Sequence, residues 1–196
     1  RFLFFAEEAA KLSLANAYND ISIENKFPAN TCSYEGDYIN FCGIAGDLEQ
    51  QLASKSKQYL DNMIKIYPEQ QFFDIQFKVQ FDAGVLIVSG EKKLHTSIEE
   101  GSFPYGAVYD FKPSFEVKLY ELKLTSFQEI RDKSLQCAKS PEQEIAECMK
   151  DSQFSVSASK NGGKTFFTLT SKERFLIISK DNAEYKPITI AFFTEN

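Results

Sequence analysis

The chain has 196 residues, 43% hydrophobic and 26% charged, with a formal net charge of -6, nineteen Phe and no Trp. That length and apolar content suffice to bury a core without covalent staples and argue against a disordered chain. The acidic balance, with no local cluster of Lys and Arg, excludes broad phosphate-backbone binding, so nucleic acid is not an expected partner.

In chain order, residues 2–18 read as a helix: Phe5, Ala9, Leu12 and the Ala15/Asn16 step recur at helical spacing, and Asn19 and Asp20 end it. The chain starts at Arg1, not Met, which points to a removed leader, a removed anchor or an artificial start. Arg1-Phe2-Leu3-Phe4-Phe5 reads equally as the last turn of such an anchor or as the apolar start of a core helix. From Ile21 to Gly43, Pro28, Asn30, Gly36 and Gly43 predict a long irregular connection. Such connections are uncommon in compact domains unless stapled or functional.

Asp47 is placed to cap a helix with Gln50 three residues on, and Leu48, Leu52, Tyr59, Met63 and Ile66 line one side until Pro68. From Gln71 to Phe81 the apolar residues Phe73, Ile75, Phe77, Val79 and Phe81 alternate with Asp74, Gln76, Lys78 and Gln80. Side chains on a strand alternate between faces, so this pattern predicts a sheet with one buried and one wet face, covered by the preceding helix. Asp82-Ala83-Gly84 and Gly90-Glu91-Lys92 read as turns, making 71–98 a three-strand meander.

Glu99 to Pro113, broken by Gly101, Pro104, Gly106 and Pro113, reads as a loop with Val108–Phe111 as an alternative edge strand. Its aromatics Phe103, Tyr105 and Tyr109 are candidate partner-binding residues, because loop aromatics give large contact area with few rotatable bonds. Against that stands a loop folded back to bury them, since large exposed apolar patches are rare. Phe115, Val117 and Leu119 predict a further strand.

Ser126 with Glu129 opens a helix carrying Phe127, Ile130, Leu135 and Cys137. Ser140-Pro141-Glu142-Gln143 opens a short second one. The last third predicts a hairpin over 154–170, turning at Lys160–Lys164 with an Asn-Gly signature, then strands 174–179 and 188–194. The expected fold class is α+β: an antiparallel β-sheet packed against an amphipathic helix, with an N-terminal helix or arm (1–20), a single domain over 21–196 and a short helical corner.

The four cysteines fall into local pairs, Cys32 with Cys42 nine residues between, and Cys137 with Cys148 ten between. Zinc knuckles space two cysteines two to four residues apart, and His95 is the sole His, so no metal site is expected. Two short-loop disulfides in an oxidising compartment compete with four unrelated buried thiols; the even pairing favours disulfides. No Gly-x-Ser-x-Gly, His-Glu-x-x-His or calcium-loop pattern occurs, and Lys160–Lys164 lacks phosphate-loop spacing. A lone His without an identifiable partner is a weak general base. No catalytic residue and no cofactor is expected.

The helical start Phe4–Asn19, the Cys-bounded irregular stretch, Tyr109-Asp110-Phe111-Lys112-Pro113-Ser114-Phe115, the Cys137–Cys148 corner and Tyr185-Lys186-Pro187-Ile188-Thr189-Ile190-Ala191-Phe192 resemble uncharacterised single-pass, membrane-anchored surface proteins of small-genome (DPANN-type) archaea. The resemblance covers most of the chain with loose motifs. It implies an ectodomain outside the cytoplasmic membrane, tethered ahead of Arg1, and assigns no catalytic residue. The expectation is a non-catalytic extracytoplasmic surface domain acting in cell-surface contact or assembly, with a pilin-like subunit as a variant, and with protein or self-association as its partner chemistry. The alternative is a module that holds a lipid or other small apolar ligand between the Phe-rich sheet and the helix over 47–67.

Overall fold

The computed structural model describes residues 1–21, 34–40, 45–82, 84–100, 103–118, 127–150, 154–178 and 182–195. Cys32, Cys42, Leu119, Ser126 and most of the predicted 21–43 connection lie outside the described residues. The helices are α1 (Phe2–Ile21), α2 (Ala45–Ile64), α3 (Phe127–Cys137) and α4 (Glu142–Cys148). The strands are β1 (Tyr34–Glu35), β2 (Tyr38–Asn40), β3 (Gln76–Asp82), β4 (Val85–Glu100), β5 (Phe103–Phe111), β6 (Ser114–Val117), β7 (Phe154–Asn161), β8 (Lys164–Ser171), β9 (Phe175–Ile178), β10 (Ala183–Lys186) and β11 (Thr189–Glu195). The fold is α+β, with β1-β2-β11-β8-β7 as one sheet, β3, β4, β5 and β6 as a second, and β9–β10 as a separate hairpin. All pairings are antiparallel except β2 with β11.

The first helix is the centre of the core. Phe2, Ala6, Ala9, Ala10, Leu14, Ala15, Ala17 and Tyr18 are all buried, in one cluster with Leu52, Leu60 and Ile64 of α2, Phe77 and Leu86 of one sheet, and Phe167 and Phe192 of the other. Small side chains let α2 and β9 approach the α1 backbone closely, where larger ones would hold them off. At its start, Phe2 stacks on Phe72 at 4.1 Å and meets Tyr67 and Phe111 edge-on at 5.2 and 5.8 Å. Leu3 and Phe4 face solvent, Phe4 at 72% exposure. The opening apolar run is therefore divided between core and surface.

A helix this buried must satisfy its polar groups internally. Ser13 donates to the Ala9 carbonyl at 2.6 Å. Asn16 reaches outside the helix: its Oδ1 accepts the Ile178 N–H at 2.7 Å while its amide donates to the Leu12 carbonyl at 2.7 Å and more weakly to Leu176 O at 3.4 Å. The amide thus takes the place of a neighbouring strand residue along the β9 edge not paired with β10.

The second sheet departs from the predicted meander. Residues 70–72 form a 3-10 turn and β3 begins only at Gln76, with Ile75, Phe77 and Phe81 buried, Phe73 and Val79 partly buried, and Gln76, Lys78, Gln80 and Asp82 exposed. Gly90-Glu91-Lys92 is not a turn: β4 runs unbroken through it for 16 residues. A Cβ on Gly90 would lie 2.9 Å from Ile75 Cγ2 and 3.1 Å from the Phe77 ring, so the glycine serves close approach of β3 side chains and not chain reversal. The predicted 99–113 loop is also replaced. Strand β5 pairs with β4 from Glu100↔Phe103 to Lys92↔Phe111, and β6 continues in the same register, Ser89↔Ser114 to Leu86↔Val117. Pro113 interrupts a single long return strand, since it has no N–H to donate, and its carbonyl accepts the Gly90 N–H at 2.8 Å.

In the five-stranded sheet, Thr165, Phe167, Leu169 and Ser171 of β8 and Ile188, Ile190 and Phe192 nearby are buried. The β7–β8 turn is built on Gly162 and Gly163, both at positive φ (56° and 79°), so the central pair is Gly-Gly and not Asn-Gly. Helix α2 starts two residues ahead of Asp47 and ends at Ile64, with Tyr67 folded into the aromatic cluster. Pro141, not Ser140, occupies the N-cap of α4, and Leu135 on α3 is exposed where Ser134 is buried. The stretch predicted to link two strands holds β10, which Pro187 separates from β11, so the two join different sheets.

Two stability outcomes follow. Gly90→Ala destabilises the fold by about 1–3 kcal/mol in urea unfolding, although Ala is the better strand residue, because the added methyl overpacks Ile75 and Phe77. Asn16→Leu costs about 1–3 kcal/mol by leaving the Ile178 N–H without its acceptor, and amide hydrogen exchange at Ile178 rises with it.

Candidate interaction surface

The geometry of β4 produces the most distinctive surface. Its first half is sandwiched between β3 and β6, the last β3 pair being Gln76↔Glu91. Beyond that point, among the described residues, β4 has β5 on one side and no strand on the other. Nine residue pairs, Lys92↔Phe111 to Glu100↔Phe103, therefore form a two-stranded ribbon roughly 25–30 Å long.

Near its base the ribbon is anchored by Leu94, buried to 2%, and by Phe111, which packs on Phe2 and Phe72. Lys92 is paired with Asp74, where the chain enters β3. Further out, Gly106, Ala107, Val108, Tyr109 and Asp110 on β5 and Lys93 and His95 on β4 are exposed. Val108 stands opposite His95 and Tyr109 opposite Leu94, so the two apolar residues lie on opposite faces, at 59% and 48% exposure. Of the three sequence-predicted contact residues, Tyr109 is placed on this surface. Phe103 and Tyr105 lie on the same strand nearer the tip, and their side chains are outside the description. Val108 enters the sequence reading only as the start of an alternative edge strand, and its exposure comes with its place on β5 opposite His95.

The other chemistry-bearing groups sit at rims. Tyr59 donates to both carboxylate oxygens of Asp20, at 3.1 and 3.0 Å, and Lys55 Nζ lies 3.3 Å from Oδ2. They line an open groove of about 540 Å³ with Met63, Ile66 and Ile178. Burial, together with the Asp20 charge, pushes the Tyr59 phenol up to about 12. Along the α2–β3 seam a second open groove, about 730 Å³, is lined by Glu49, Gln50, Ser54, Lys57, Gln80, Phe81 and Asp82. Burial and then the Asp82 charge hold the Glu49 carboxyl above the usual carboxylate range. Among the described residues, no group of three or more His, Cys, Asp or Glu is placed to hold a metal ion. His95 stands exposed on the ribbon.

At the helical corner Cys137 and Cys148 are joined in a disulfide, Cα atoms 5.6 Å apart, with Cys137 fully buried and Cys148 exposed. The corner is tied to the β7 edge: Glu142 accepts the Lys160 N–H at 3.0 Å and Lys160 Nζ donates to Ser140 O at 2.8 Å. Among the described residues, no helix is long and apolar enough to cross a membrane. The chain matches no protein-family model, no curated protein and no solved structure.

The shifted groups give two pH dependences. Tyr59 binds its proton more tightly folded than unfolded, so its contribution is complete below pH about 10 and is lost as pH rises towards about 12. Urea unfolding of Tyr59→Phe follows a flatter stability curve over that window than the parent. Glu49 also has a raised folded pKa, so its ionisation weakens the fold as pH rises through that value. Glu49→Gln raises Tm at pH 7 and leaves it unchanged at pH 3, as read by calorimetry.

Proposed function

We propose that this chain is a non-catalytic surface domain that works outside the cytoplasm by contact or assembly, through the ribbon formed by β4 and β5. The observation that carries the reading is the ribbon itself: an extension of the sheet, fixed at its base by Leu94 and Phe111, that presents Val108 and Tyr109 to solvent. A soluble domain gains no core from such an extension, and exposed aromatics on a firmly based element suit a partner contact. The Cys137–Cys148 pairing supports an oxidising compartment, because short-loop disulfides persist there and are reduced in the cytosol. A lipid or apolar ligand between α2 and the sheet is less well supported. The seam there sets Glu49, Gln50, Ser54, Lys57, Gln80 and Asp82 beside Ala53, Val79 and Phe81, whereas apolar-ligand sites are walled mainly by hydrophobic side chains.

Two experiments test the reading. The paired substitution Val108→Ser with Tyr109→Ser, checked for folding by circular dichroism, lowers retention of the labelled chain on intact source cells by at least about tenfold, while Ile66→Ser, on the far groove, leaves it intact. Equal retention by the ribbon variant and the parent overturns it. For the compartment, chain isolated from its native cells under acid quench shows Cys137 and Cys148 unreactive to maleimide until reduced; free thiols in that sample remove the claim. Replacing both cysteines by Ala costs about 3 kcal/mol of stability, from the loop the bond closes.

A further inference from the structure

Strand β7 ends the five-stranded sheet, and among the described residues no further strand pairs with it. Native sheets protect such an edge with charge, proline, a bulge or a cover. Phe154 to Ser159 of β7 carries no charge and no proline, and its pairing with β8 runs from Phe154↔Ser171 to Asn161↔Lys164 without a bulge. The protection comes instead from the α3–α4 corner, which packs against β7. The outward Lys160 N–H donates to Glu142 Oε1 at 3.0 Å, and the one charge between Phe154 and Asn161, Lys160 Nζ, donates to Ser140 O at 2.8 Å. A side chain of the corner thus occupies a backbone group that an added strand would use. At the far end of α4, Lys133 Nζ reaches Lys150 O at 3.2 Å and, more weakly, Met149 O at 3.5 Å, and Ile145 and Met149 are buried. The Cys137–Cys148 bond closes the loop that contains all of α4. A helix of seven residues is marginal by itself, so its place depends on these ties.

We infer that the corner is a redox-set guard on the β7 edge, and that reduction of Cys137–Cys148 frees this edge to pair with the same edge of a second copy. The reductant is a dithiol. Its thiolate attacks Sγ of Cys148, the exposed member, because Cys137 is fully buried; the S–S bond breaks, and Cys137 leaves as a thiolate that takes up a proton. The second thiol of the reductant then displaces Cys148, so two electrons and two protons pass to the two cysteines and the dithiol becomes a disulfide. With the loop open, α4 loses its covalent restraint and Glu142 withdraws from Lys160. Two β7 strands meeting antiparallel about an axis at Ser157 set Val156 opposite Ala158 and Ser155 opposite Ser159. Val156 and Ala158 share the alternate set of Lys160, whose N–H points outward, so each such pair exchanges two backbone hydrogen bonds. No charge is opposed from Ser155 to Ser159, and the two-fold closes on itself, so the product is a discrete dimer. No residue of the ribbon takes part, so this pairing and the ribbon contact are separable.

The test compares the oxidised 196-residue chain, the same chain in dithiothreitol, and Cys137→Ala with Cys148→Ala, by amide hydrogen exchange and sedimentation equilibrium. In the reduced chain and the double-Ala variant, exchange at the Lys160 N–H rises about a hundredfold, the ratio that closing a loop of this length implies, while the Phe192 N–H inside the sheet stays protected and shows the fold intact. Both also sediment at twice the mass of the oxidised chain, and reoxidation of the reduced chain reverses the change. Ser157→Lys, at an exposed β7 position, keeps the exchange increase on reduction but removes the gain in mass, because two lysines then meet at the axis. Lys160 exchange indifferent to reduction, loss of Phe192 protection along with it, an opened corner without gain in mass, or a dimer that Ser157→Lys leaves intact each overturns the inference.

Discussion

The burial of one long face of α1 sets the terms for the rest of this molecule. Helix α1 lies in one cluster with α2 and both sheets, and the Ala residues on that face let its neighbours come close while Phe2, Leu14 and Tyr18 fill the space around them. Burial on that scale leaves no water to satisfy Asn16, and its amide serves β9 as a strand would, binding the hairpin to the helix by direct hydrogen bonds. The aromatic cluster of Phe2, Tyr67, Phe72 and Phe111 does the same at the other end of α1, joining it to α2, the 3-10 turn and the base of the ribbon.

The ribbon follows from that base. Residues 86–89 of β4 are paired on both sides and Leu86 and Val88 lie in the core, so this half of the strand is held in place. The same backbone continues past Gly90, and β5 and β6 return in one register along it, interrupted only at Pro113. Ordering of the outer half is thus inherited from the inner half. A strand already formed in this way would lose little conformational freedom in any association it entered.

Reactive groups have no comparable support. Tyr59 and Glu49 have shifted proton affinities, but each is explained by burial at a groove rim beside a carboxylate, with Tyr59 satisfied by Asp20 and Glu49 opposed by Asp82. A perturbed group signals function when it converges with a nucleophile, base or cation in a cleft, and these two stand apart along α2.

The amino-acid pattern alone determined the α+β class, the strand phase over Phe77 to Phe81, the helical corner between Cys137 and Cys148, and Tyr109 as a surface candidate. Each depends on residues within a few positions of one another, where period and turn chemistry decide the outcome. Only the tertiary structure decided that Gly90 is a packing gap and not a turn, because the atoms that require it belong to Ile75 and Phe77. Likewise Glu99 to Pro113 carries the breakers of a loop, yet pairing with β4 holds Phe103 to Phe111 extended, and cross-strand hydrogen bonds override local preference there. The exposure of Val108 was likewise not legible locally, because it depends on β5 pairing with β4 beyond the last β3 pair, Gln76↔Glu91.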